Sequence, residues 1–99
     1  MASFHSNQTD HLFDAILNLK TREDCYAFFE DLCTIKELKD MAQRLEVAYL
    51  LDSGMSYQKI VEKTGVSSAT ITRVNRCLTY GSGGYRSTID YLPPKEDQP

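Results

Sequence analysis

The sequence contains no apolar run longer than a few residues, far short of the roughly 20 that a bilayer crossing requires. Its first residues, MASFHSNQTDH, lack a positively charged start followed by an apolar stretch, so a cytoplasmic protein without a membrane partner is expected. Cysteine is scarce: Cys25, Cys33 and Cys77 form an odd set with no C-x-x-C pair, and the two histidines, His5 and His11, both lie near the N-terminus. Those spacings argue against a zinc site. The three thiols are expected as small buried apolar groups in a reducing compartment. No Ser-His-carboxylate or Cys-His arrangement is available away from the N-terminus, so neither an enzyme nor a cofactor is expected. Alternating apolar and polar stretches and Asn-Gly or Asp-Gly hairpin turns are also missing, which removes the ordinary signals of strands and leaves an all-α fold.

What is present is helical punctuation. Hydrophobic residues at 41 % and charged residues at 25 % fit a globular chain, and 99 residues hold one core, so residues 1–92 are expected to form a single domain and 93–99, PPKEDQP, a disordered polar tail. Leu12, Phe13, Ile16 and Leu17 recur at helical spacing and predict a first helix over about 9–19. Thr21 reads as the N-cap of a second helix carrying Cys25, Phe28, Phe29 and Leu32 on one stripe. Thr34 and Glu37 form a T-x-x-E capping box ahead of a long third helix that runs toward Gly54. Broad apolar stripes on three successive helices suggest that part of this surface is buried against a second copy.

Net charge is −3, yet it is unevenly spread. Residues 1–54 carry ten acids against five bases, whereas 55–86 carry Lys59, Lys63, Arg73, Arg76 and Arg86 against Glu62 alone. Local positive charge on an acidic chain is the footprint of a nucleic-acid face, because phosphates are met by local rather than net charge. Within that segment the spacing is bihelical, a helix-turn-helix at 57–78. Ser56 can cap a helix over 57–64, Gly65 can supply the turn, and Ser67 can cap a second helix to about Thr79. Ile60, Val61, Val66, Ile71 and Val74 are expected to face the core. Ser68, Ala69, Thr70, Thr72, Arg73 and Arg76 are left on or beside the outer face, where small residues allow close approach to base edges and arginines reach phosphate or guanine.

GVSSATITRVNRCL, with the preceding QRLEVAYLLDSGMSYQKIVEKTG, resembles the Trp repressor family, and more closely its Trp-repressor-like branch of small bacterial proteins. Ala69 to Arg73 is the sharpest match, and the similarity runs over about 12–90, with one residue fewer just after Gly54. The resemblance implies a six-helix, intertwined homodimer that presents two recognition helices to a palindromic operator in double-stranded DNA, as a transcriptional repressor. It places Ser68, Ala69 and Thr72 toward bases and Thr70 toward phosphate. Gln58 and Val61 match basic positions of the first motif helix, and Lys59 and Lys63 are neighbouring places from which that charge can be supplied. With Ser67 these complete the expected DNA-binding set.

The same resemblance implies an effector pocket. Arg44 and Arg73 match the two arginines that enclose tryptophan, and Thr34 matches a third pocket residue. Val74 stands where tryptophan binders have glycine, and Cys77 where they have serine. Added bulk beside a ligand costs about 1–3 kcal/mol per misfit, so the expected protein is one without tryptophan as co-repressor, and no other small-molecule effector is identified. Arg44 can equally pair with Asp40 one turn earlier, and Arg73 can contact phosphate without any ligand. Tyr80, Tyr85 and Tyr91, which flank the GSGG run at 81–84, are expected to pack. The rival to a DNA binder is a helical protein-protein adaptor that keeps the same scaffold.

Overall fold

The computed structural model describes residues 4–92; the expected disordered tail at 93–99 lies outside them. Six helices and no strand occur among the described residues: α1 (Asn7–Leu17), α2 (Arg22–Leu32), α3 (Ile35–Asp52), α4 (Tyr57–Thr64), α5 (Ser68–Tyr80) and α6 (Gly84–Ile89). The described residues divide into two compact units, with the boundary between Leu38 and Lys39.

In the first unit the helix starts are set by side-chain oxygens that accept otherwise unpaired backbone N–H groups. Ser6 Oγ accepts from Thr9 N at 3.1 Å, so α1 begins and ends about two residues before the expected 9–19. Thr21 Oγ1 accepts from Asp24 N at 3.0 Å and opens α2 as expected. The predicted capping box is reciprocal: Glu37 N donates to Thr34 Oγ1 at 3.0 Å and Thr34 N donates to Glu37 Oε1 at 2.8 Å. Phe28 and Phe29 meet edge to face with ring centroids 5.4 Å apart. No residue of α1 or α2 is buried, and Leu17 is 81 % exposed and Ile35 74 % exposed.

The second unit has the core. Val47, Ala48 and Leu50 of α3 meet Ile60 of α4, Val66 of the turn, Ile71 and Val74 of α5, and Ile89 of α6. The α5 pair at i and i+3 is the helical stripe on which that helix seats, with half-buried Leu78 continuing it one turn on. Of the five core positions expected in the motif, Ile60, Val66, Ile71 and Val74 are buried. Val61 is not: it is 38 % exposed, because its place next to Ile60 rotates it about 100° around α4, away from the buried stripe. The cysteines also depart from expectation. All three are free thiols, but Cys25 and Cys77 are exposed and Cys33 is only half-buried, since the aliphatic side chains of α3 to α6 fill the core without them.

Gly65 ends α4 in the left-handed region at φ 77°, its N–H donating to Val61 O at 2.8 Å. A Cβ there meets nothing within 4 Å, so the cost of a side chain is purely conformational. Gly65→Ala is expected to destabilise the protein by about 1 kcal/mol, read as a lower urea midpoint at unchanged slope.

Candidate nucleic-acid interface

The two helices of the motif are held as the sequence predicts, with each local device visible. Ser56 Oγ accepts from Lys59 N at 3.2 Å to start α4. Thr64 Oγ1 donates to Ile60 O at 2.7 Å and accepts from Val66 N at 3.2 Å, which ties the turn to the helix before it. Ser67 Oγ accepts from Thr70 N at 3.2 Å and starts α5. With Ile71 and Val74 locked in the core, the helical period turns Ser68, Ala69, Thr72, Arg73 and Arg76 outward, and all five are exposed.

Their polar atoms are not equally available. The Thr72 hydroxyl donates to Ser68 O at 2.9 Å, and Thr70 is half-buried with its Oγ1 3.1 Å from Ser67 Oγ. On α4, Gln58 Nε2 donates to Glu62 Oε2 at 3.5 Å, while Lys59 and Lys63 are exposed one turn apart on the same helix face. The expected DNA-facing set therefore comprises Ser67, Ser68, Ala69, Thr70, Thr72, Arg73 and Arg76 on or capping α5, with Gln58, Lys59 and Lys63 on α4.

The residues expected around an effector are placed on two helices and a cap. Thr34 serves as the cap of α3, Arg44 is half-buried on α3, Arg73 is exposed on α5, and Val74 is buried in the core. Cys77 lines an open, mainly apolar hollow of about 480 Å³ with Leu45, Gly81, Ser82, Gly84, Tyr85 and Thr88. That lining includes neither Arg44, Arg73 nor Val74. No cluster of His, Cys, Asp or Glu suited to a metal ion occurs among the described residues, and no helix of theirs is long and apolar enough to cross a membrane.

Sequence reasoning missed one contact near this surface. Arg86 of α6 pairs with Asp52, the last residue of α3, and lies 4.0 Å from Asp90 on its own helix. The hydrogen bond that Arg86 donates to Asp52, together with the charge of that carboxylate, holds the Arg86 proton more tightly than usual. Of the three tyrosines expected to pack, Tyr85 alone is half-buried against the core, whereas Tyr80 and Tyr91 are 84 % and 86 % exposed.

A six-helix, all-α chain with a capped helix, a left-handed glycine turn and a second capped helix seated on a common core is a helix-turn-helix protein. Residues 7–92 match the model of the Trp repressor protein family, and the chain belongs to that family. It is 50 % identical over 91 residues to YerC of Bacillus subtilis (strain 168), a protein of uncharacterised function, covering 92 % of this chain and 88 % of that one. Two solved structures are similar. One, described as a candidate Trp repressor from Staphylococcus aureus, superposes with a TM-score of 0.84 at 45 % identity, covering 87 % of this chain and 86 % of the other. The second, a Trp-repressor-like protein from Eubacterium eligens ATCC 27750, gives 0.83 at 48 % identity, covering 86 % and 88 %.

Proposed function

We propose that this chain is a cytoplasmic, sequence-specific DNA-binding transcriptional regulator, a repressor that acts as a homodimer on a palindromic operator and does not respond to tryptophan. The observation that carries the reading is the outer face of α5, where Ser68, Ala69, Thr72, Arg73 and Arg76 stand exposed on a helix anchored by Ile71 and Val74. Small side chains allow the helix start into the major groove, and the two arginines further along supply charge for phosphate or guanine. Membership of the Trp repressor family supports it.

Dimerisation is supported by the first unit. Phe13, Leu17, Tyr26, Leu32 and Ile35 are large, apolar and exposed, and a second copy would cover such a stripe. Two copies are also what a two-half-site operator needs, one recognition helix per major groove. The absence of tryptophan control is supported by Val74, which fills core space between α5 and its neighbours.

Selection of bound fragments from genomic DNA, followed by gel retardation, tests the reading. A palindromic preference is expected, with an affinity that falls by about 10³-fold or more between 50 and 200 mM salt if six or more phosphates are contacted. Fragment enrichment indistinguishable from background, with a salt-insensitive protein partner recovered instead, would favour the adaptor. Calorimetry with tryptophan is expected to be silent at micromolar ligand.

A further inference from the structure

We propose that Asp52 and Arg86 are positioning residues, forming a clasp that joins the two ends of the helix-turn-helix segment and so sets how α5 is presented to DNA. The inference rests on the DNA-binding reading above and goes beyond it, since neither residue belongs to the expected contact set.

The topology gives the pair its meaning. Asp52 ends α3 immediately before the turn into α4, and Arg86 lies on α6, after α5 has finished. The two residues are 34 apart in sequence, and everything between them is the motif and its glycine exit. The exit is tight. Gly81 N donates to Cys77 O at 2.8 Å, and a Cβ on Gly81 would collide with that same carbonyl, so the chain leaves α5 by a route only glycine allows without a backbone shift. Gly83 then adopts φ 89° and α6 folds back, placing Ile89 in the core cluster that also holds Val74. The far end of α5 is therefore restrained by the glycine exit, by Ile89 and Tyr85 packed on the core, and by the Asp52–Arg86 pair. The last ties that end directly to the residue at the close of α3. Ile89 and half-buried Tyr85 seat α6 on the core, and the ion pair adds a point outside it that ties α6 to the end of α3.

The clasp and a simple charge effect predict opposite signs. Removing a negative charge near a DNA-binding face ordinarily strengthens binding. Asp52→Asn is nevertheless expected to weaken operator binding about fivefold, because each protomer loses one exposed ion pair of the usual small worth and two protomers contribute. Asp90→Asn is the control: it removes the same charge 4.0 Å from the same guanidinium, but from α6 itself, and is expected to leave affinity equal or slightly raised. In a double-mutant cycle with Arg86→Gln, the double variant should bind no worse than Arg86→Gln alone. The salt slope of Asp52→Asn should equal that of the parent, since every phosphate remains neutralised by the same side chains.

Hydrogen exchange of the full chain separates this inference from the DNA reading. Amides at the end of α5 and in α6 are expected to exchange several-fold faster in Asp52→Asn, while those at the start of α4 hold their rates. Accelerated exchange in a protein that binds no DNA would leave the clasp standing and remove the function proposed above. Unchanged exchange, or Asp52→Asn binding DNA as well as Asp90→Asn does, would overturn the clasp.

Discussion

Arg73→Ala is expected to reduce operator affinity by about 100-fold or more and to lower the salt slope by about two. Arg73 is exposed on α5, between the buried pair Ile71 and Val74, so its backbone position is fixed by the core while its guanidinium remains free to reach the groove. One arginine bound to a base or phosphate is worth roughly tenfold or more in affinity, and the dimer duplicates it. Each phosphate that is no longer neutralised should reduce the slope of log affinity against log salt by about 0.9. The fold should be untouched, because no buried atom is removed. Arg22→Ala offers the comparison: the same charge is deleted from the exposed start of α2 in the other unit, and affinity should change far less. Equal effects from both substitutions, measured by fluorescence anisotropy on a selected operator, would mean that charge acts only at long range and that α5 reads nothing.

Val74→Gly should be the most destabilising of the substitutions considered, at about 3 kcal/mol. Val74 is 1 % exposed and packs in the same cluster as Ile71 and Ile89. Deleting its three carbons forfeits their burial and leaves a void that neighbours fill only in part, and glycine in a helix interior adds about 1 kcal/mol. The loss is measured by urea denaturation. Calorimetry of the same variant with tryptophan tests whether valine alone closes the site. Because the hollow beside Cys77 is lined by neither Arg44 nor Arg73, glycine at 74 is expected to cost stability without conferring tryptophan binding. Micromolar tryptophan binding by Val74→Gly would reverse that view of the α5 core.

How far the sequence could be read depended on the range of the forces involved. Caps act over three residues, so Thr21, Ser56, Ser67 and the Thr34–Glu37 box could be located from spacing alone, and each is seen making its hydrogen bond. The turn glycine is equally local. An apolar stripe locates a helix less sharply than its cap does: Ser6 is the cap of α1, and the first helix is displaced accordingly. Val61 shows the limit of hydrophobicity as a guide, since a β-branched residue beside a buried isoleucine has the composition of core and the angular position of surface. The cysteines depart from expectation for a related reason, the general tendency of that residue being overruled by aliphatic neighbours that already fill the available volume. The Asp52–Arg86 pair had no signal at all, because two charges 34 residues apart leave no periodic trace.

The outer face of α5 shows how a hydrogen bond made inside a helix alters what the helix says to the outside. Thr72 gives its hydroxyl proton to the Ser68 carbonyl, and so toward an outside partner its oxygen can act only as an acceptor. Ala69, exposed one turn earlier on the same face, offers a methyl group. Under the proposed DNA-binding role, Ala69 would suit the C5-methyl of thymine, and Thr72 Oγ1 would suit a donor such as the exocyclic amine of cytosine.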